Sequence, residues 1–183
     1  MNGKTYRCVL CYRLGVLLFS VSKPCLACSR VFVGDIYGDH TVSCAGIIGI
    51  KHRHNLVRDT LVDICYRLGI SVCKEVDMGS SPFTQTGMTG FVSGRAVIDA
   101  AQRKRVKYDT KCAAIGYGFL PFSFFSLGEL EEGAVTLLKR IRKFSMTQDV
   151  GARAAVHIFN MIGFSIAKGV GAQILSRLHS NLL

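Results

Sequence analysis

Leu130, Ala134, Leu137, Leu138 and Ile141 recur at helical spacing, and Lys139, Arg140, Arg142 and Lys143 lie on the opposite face. One apolar stripe and one basic face predict an amphipathic helix. Ser126 with Glu129 three residues later reads as a capping-box start for it. The same periodicity predicts a helix from about 50 to 68, carried by Leu56, Leu61, Ile64 and Leu68, with Gly69 as its stop. A further helix is predicted over 95–108, where Val97, Ala101 and Arg105 share a face. A last one, from about 148 to 178, places Val156, Phe159, Ile162, Ile166 and Val170 on one stripe.

Elsewhere the pattern is not helical. Residues 6–22 are apolar without a period and read as extended or mixed structure. "ISVCKEVDM" reads as a strand, "GSSPFTQTGMTG" as a loop, and "CAAIGYGFLPFSFF" as a second strand broken at Pro121. The fold class expected is α+β, rich in helix and poor in strands. The echo between "CYRLGV" at 11–16 and "CYRLGI" at 65–70 is too short to mark a structural repeat and reads as coincidence.

The 49% of hydrophobic residues suffices for a core, and 183 residues fit one domain or one domain with an appendage. The 23 Lys and Arg against 12 Asp and Glu leave a net charge of +11, which favours an anionic partner. Eight irregularly spaced cysteines in a chain of this length do not describe a disulfide scaffold, so a reducing compartment is expected, with Cys65, Cys73 and Cys112 as buried thiols. Arg13 interrupts the first apolar run and no cleavage site precedes Lys23, which argues against a secretory signal. His157, Asn160, Lys168 and Gln173 make the long C-terminal apolar stretch too polar for a comfortable bilayer span. No membrane partner and no small-molecule substrate are expected.

The chemistry concentrates in "SKPCLACSRVFVGDIYGDHTVSC", residues 22–44. Cys25 and Cys28 form a Cys-x-x-Cys turn, and His40 and Cys44, four apart, project from one side of a helical turn. Two thiolates from a tight bend, an imidazole and a third thiolate are the donors a structural Zn²⁺ takes in a tetrahedron. A rival set, Cys8, Cys11, Cys25 and Cys28, has near-ribbon spacing, but "LGVLLFSV" between its pairs looks like packed core. The preferred ligands are Cys25, Cys28, His40 and Cys44.

With that motif, "KPCLACSR…GDIYGDHTVSCAG" followed by "KHRHNLVRDTLVDIC" resembles the C-terminal region of plant LINE-like (non-LTR) retrotransposon polyproteins. In that family a Cys-Cys-His-Cys zinc motif follows the reverse transcriptase and precedes a restriction-like endonuclease of the PD-(D/E)xK type. "AQRKRVKY" and "GFLPFSFFSLGEL" resemble that endonuclease's Lys-Tyr helix and Pro-containing strand, so the likeness spans most of 20–180. It implies an N-terminal segment with a zinc motif over 1–46, then a degenerate endonuclease-like domain over 47–183. The basic "LKRIRK" cluster at 138–143 also reads as a nuclear address, so a nuclear or cytoplasmic location is expected.

The chain departs from the family where cutting would occur. Catalysis needs paired acids and a lysine to hold Mg²⁺ against the scissile phosphate. The positions after Pro82 are Phe83, Thr84 and Gln85, none of them acidic. Only Glu75 and Asp77 stand as weak candidates, and they read as polar residues at a strand end. No Asp-Asp pair of a reverse transcriptase occurs either. The expectation is a truncated, transposon-derived fragment that binds nucleic acid and no longer cuts, needing Zn²⁺ but not Mg²⁺. An active Mg²⁺-dependent endonuclease, or a translated relic with no role, are the alternatives. Phosphate contacts are expected from His52, Arg53, His54 and Arg58 at the exposed start of one helix, from Arg103, Lys104, Arg105 and Lys107 on the next, and from Lys139, Arg140, Arg142 and Lys143.

Overall fold

The computed structural model describes residues 1–19, 28, 36–44, 47–70, 95–147 and 151–178. Six helices are described: α1 (Gly3–Arg13), α2 (Asp39–Ser43), α3 (Ile47–Arg67), α4 (Arg95–Ala114), α5 (Glu132–Thr147) and α6 (Gly151–Leu175). Helix α6 is the hub, with α1, α2, α3 and α5 all packed on it. The core joins Cys8 and Tyr12 of α1, Val57 and Ile64 of α3, Leu138 and Ile141 of α5, and Ile158, Ile162, Ile166, Val170 and Ile174 of α6.

Two glycines set how closely the neighbours approach α6. A Cβ on Gly169 would lie 2.9 Å from Arg53 Cα in α3, and one on Gly171 would lie 2.7 Å from the carbonyl oxygen of Thr5 in α1. Real side-chain carbons do not come so near a backbone, so both contacts require glycine on that side of the hub. Contacts cross the boundary drawn at residue 46, since α1 and α2 rest on α6.

Helix α1 corrects the expectation of extended structure from residue 6. The side chain of Asn2 accepts the Thr5 N–H at 2.8 Å and the Thr5 hydroxyl at 2.7 Å. That cap starts the helix, and burial of Thr5, Cys8, Val9 and Tyr12 against α6 supplies the face the sequence hides. Beyond it, Leu18 is buried, but Leu14, Val16 and Leu17 are exposed, so "LGVLLFSV" is not a packed core throughout.

The second expected strand is also corrected. Cys112 to Ala114 complete α4, and residues 117–123 follow without regular structure. Among the described residues the only β pairing is an isolated antiparallel bridge between Phe124 and Leu130, closed by a turn with Gly128 at φ +97°. The described part is therefore helix-rich and carries no strand of an endonuclease sheet. The first expected strand lies, beyond Ile70, outside the described residues.

The capping-box pair belongs to this turn rather than to α5. Phe125 N–H donates to Glu129 O at 2.8 Å, and Ser126 Oγ accepts from Arg53. Helix α5 starts at Glu132 instead, where the buried Glu131 carboxylate accepts the Gly133 N–H at 2.8 Å. Its apolar stripe is where the periodicity placed it, with Ala134, Leu138 and Ile141 buried and Leu130 and Leu137 packed on the core. Helix α4 buries Val97, Ala101 and Tyr108. It meets the 119–131 segment through Arg105 to Glu131 at 2.7 Å, Lys104 Nζ to Phe122 O at 2.9 Å, and Tyr108 against Phe119.

Helix α6 keeps its expected stripe at Ile162, Ile166 and Val170 and departs from it in its first turns. Val156 and Phe159 are exposed, while Ile158, Ile162, Ile166, Val170 and Ile174 face the core. Val156–Leu175 is long and apolar enough to cross a membrane by length and composition, and half of that window is buried inside the fold.

Candidate metal centre

Gly38, at φ +95°, turns the chain into α2, and the Ile36 carbonyl accepts from both Leu18 N–H (2.8 Å) and Phe19 N–H (3.0 Å). This ties the approach to α2 against the end of the α1 region. Within α2, His40 and the C-cap residue Cys44 are four positions apart and share a side. Cys28 comes to the same point. Its Sγ lies 3.4 Å from His40 Nε2, and the donor atoms of Cys28, His40 and Cys44 all fall within 4.8 Å of one another. Cys44 is fully buried and the other two are half-buried.

These separations suit a metal. Zn–S bonds of about 2.3 Å and Zn–N bonds of about 2.0–2.1 Å at tetrahedral angles put neighbouring ligand atoms about 3.5–3.8 Å apart. Two soft thiolates and an imidazole are donors that favour Zn²⁺ over Mg²⁺ or Ca²⁺. Three of the four expected ligands are thus together; Cys25 lies outside the described residues. No described cysteine forms a disulfide. The rival pair sits in α1, where Cys8 is fully buried in the hydrophobic core. Burial pushes the Cys8 thiol up, with the neighbouring Cys11 adding to the effect, and burial does the same to Cys65. Such thiols are poor metal ligands at neutral pH. Cys65 is buried as expected, Cys112 is half-buried, and Cys73 lies outside the described residues.

Helix α2, at five residues, is too short to hold itself. Three side chains from other elements grip it. Tyr12 OH of α1 donates to Asp39 Oδ1 at 3.2 Å. Gln173 Nε2 of α6 donates to the carbonyls of Thr41 at 2.9 Å and Val42 at 3.2 Å. Arg53 Nη1 of α3 donates to the Val42 carbonyl at 3.3 Å and to Ser126 Oγ at 3.0 Å.

Arg53 corrects the expectation of an exposed phosphate-binding residue. It is only 8% exposed, and burial lowers its guanidinium to about 10, with Tyr12 opposing the shift. At neutral pH it remains a cation set against the C-terminal carbonyls of α2, where a helix favours positive charge. Its neighbours differ: His52 is exposed, His54 is half-buried, and Arg58 is engaged with Asp59 at 2.8 Å.

On α4, Lys104 and Arg105 are held by Phe122 and Glu131, which leaves Arg103 and Lys107 on the exposed side, Lys107 above the Tyr108 ring at 4.9 Å. Lys139, Arg140, Arg142 and Lys143 are all exposed on α5. Glu75 and Asp77 lie outside the described residues.

No protein-family model, curated protein or solved structure matches the chain.

Proposed function

We propose that this protein is a zinc-ordered nucleic-acid-binding protein of retrotransposon descent that does not cut its ligand. The convergence of Cys28, His40 and Cys44 within 4.8 Å carries the reading. Ligands from a turn and a short helix that cannot stand alone are the situation in which a metal contributes folding energy. The descent rests on the resemblance of the "KPCLACSR…GDHTVSC" and "KHRHN" stretches. The net charge of +11 and the four exposed cations of α5 support a polyanionic partner. The absence of an acid from the three positions directly after Pro82 supports binding without hydrolysis.

In this reading Zn²⁺ is structural: Cys25, Cys28, His40 and Cys44 hold it, and it fixes α2 against the preceding turn. The test is metal content after refolding in Zn²⁺. The parent chain is expected to hold one equivalent, Cys28→Ser to lose it, and Cys11→Ser to retain it. A metal-free parent, or loss only in Cys11→Ser, would overturn the assignment.

A further inference from the structure

We propose that Gln173 and Arg53 are positioning residues for this metal site, fixing His40 and Cys44 toward the ion through the backbone carbonyls that lie between them. The inference rests on the metal reading above and extends it to two residues that never touch the ion.

Residues 41 to 43 link the two ligands, and the carbonyls of Thr41 and Val42 are claimed from outside the helix. Gln173 bridges Thr41 O and Val42 O, and Arg53 adds a second bond to Val42 O. These bonds constrain the rotation of α2 about its axis, which decides whether His40 and Cys44 face Cys28. Both gripping side chains are themselves fixed. Gln173 is 2% exposed and lies so near Gly49 that a Cβ there would stand 2.6 Å from Gln173 Cγ. Arg53 is braced by Ser126 on one side and by Gly169 of α6 on the other.

Simple packing does not account for the glutamine. Its Oε1 is buried without a hydrogen-bond partner among the described residues. An apolar residue of similar size would fill the space without that cost. What only an amide supplies here is the pair of donors aimed at α2. Outer contacts that orient metal ligands are worth 10–100-fold in metal affinity where they have been removed.

The experiment measures Zn²⁺ affinity of the full chain by competition with a chromophoric chelator, together with the absorption spectrum of the Co²⁺-substituted protein. Gln173→Met keeps the volume and removes the donors; it is expected to weaken Zn²⁺ binding 10–100-fold and to shift the Co²⁺ ligand-field bands. Arg53→Met is expected to weaken it similarly, with Arg53→Lys, which keeps a donor and the charge, falling between it and the parent. Thr60→Val is the control. It removes the 2.7 Å bond between Thr60 and Ser165 that also joins α3 to α6, and so loosens the same interface away from α2. Its Zn²⁺ affinity is expected to equal the parent's.

Parent-like affinity in Gln173→Met and Arg53→Met would overturn the inference, as would equal weakening in Thr60→Val. Should either methionine variant not fold, Arg53→Lys against Thr60→Val decides it. A parent that binds no Zn²⁺ would overturn the metal reading itself. Zn²⁺ bound equally by the parent and these variants would remove only the positioning role.

Discussion

A Cβ at residue 171 would meet the carbonyl oxygen of Thr5 at 2.7 Å and Val9 Cγ2 at 2.7 Å, and the backbone atom cannot give way as a side chain can. Gly15 and Gly69 pose the opposite problem. Nothing lies within 4 Å of either, but their φ values of +63° and +69° strain any L side chain. Gly15→Ala and Gly69→Ala are therefore expected to cost about 1 kcal/mol each, and Gly171→Ala clearly more, up to about 3 kcal/mol, in urea denaturation of the full chain. Equal losses at the three sites would contradict the close approach of α1 to α6. The same two glycines explain the echo between 11–16 and 65–70. Val16 N–H donates to Cys11 O at 2.8 Å, and Ile70 N–H donates to Cys65 O at 2.9 Å. Both hexapeptides end a helix by the same left-handed cap. "CAAIGY" does so a third time, with Tyr117 N–H on Cys112 O at 2.9 Å and Gly116 at φ +75°. Gly69 was readable as a stop because a periodic helix preceded it. Gly15 was not, because the helix it ends shows no period.

Helices were legible in proportion to the contrast between their faces. Helix α5 alternates aliphatic and basic residues cleanly, so its stripe could be placed from the sequence, although its first turn could not. The carboxylate that caps it, Glu131, is buried against Arg105, a partner 26 residues away. Helix α1 carries hydrophobic residues on its exposed side, with Tyr6 and Leu10 facing solvent, which blurs the period. Helix α6 carries apolar residues on its exposed side too, Val156, Phe159 and Phe164 among them, so its phase is set by packing and not by a polar face. That departure is open to test. Ile158→Ala, a buried position outside the expected stripe, is expected to cost about 2–5 kcal/mol, as for other buried aliphatic truncations. Val156→Ala, at an exposed position, is expected to stay within about 0.5 kcal/mol. Denaturant midpoints of the two variants check this, and the reverse order would restore the stripe read from the sequence.

Across the whole molecule, positive charge outnumbers negative nearly two to one, and on α5 four cations are exposed on one face. Four phosphate contacts to a duplex give a log–log salt slope of about −3.6, so the proposed nucleic-acid affinity is expected to fall about a hundred-fold between roughly 50 and 200 mM salt. Fluorescence anisotropy with a labelled duplex checks it. Neutralising Lys139, Arg140, Arg142 and Lys143 to Gln is expected to flatten the slope while leaving zinc content unchanged. Affinity that ignores salt would count against a phosphate-reading surface. The candidate metal ligands could be singled out in the sequence because chelating residues at helical and turn spacing are a local signal. Arg53 looked like one more cation in a basic run, and Gln173 like a polar blemish in an apolar helix. Neither sequence neighbourhood records the α2 carbonyls that each of them meets. Gln173 and Thr41 are separated by 132 positions. On a ribosome that emits the chain from its first residue, the thiols and imidazole leave the exit tunnel long before the amide that steadies them. If the proposed ion binds, its capture in the final geometry waits for α6, and a protein halted before α6 emerges would present those sulfurs loosely held, open to oxidation and to the wrong ion.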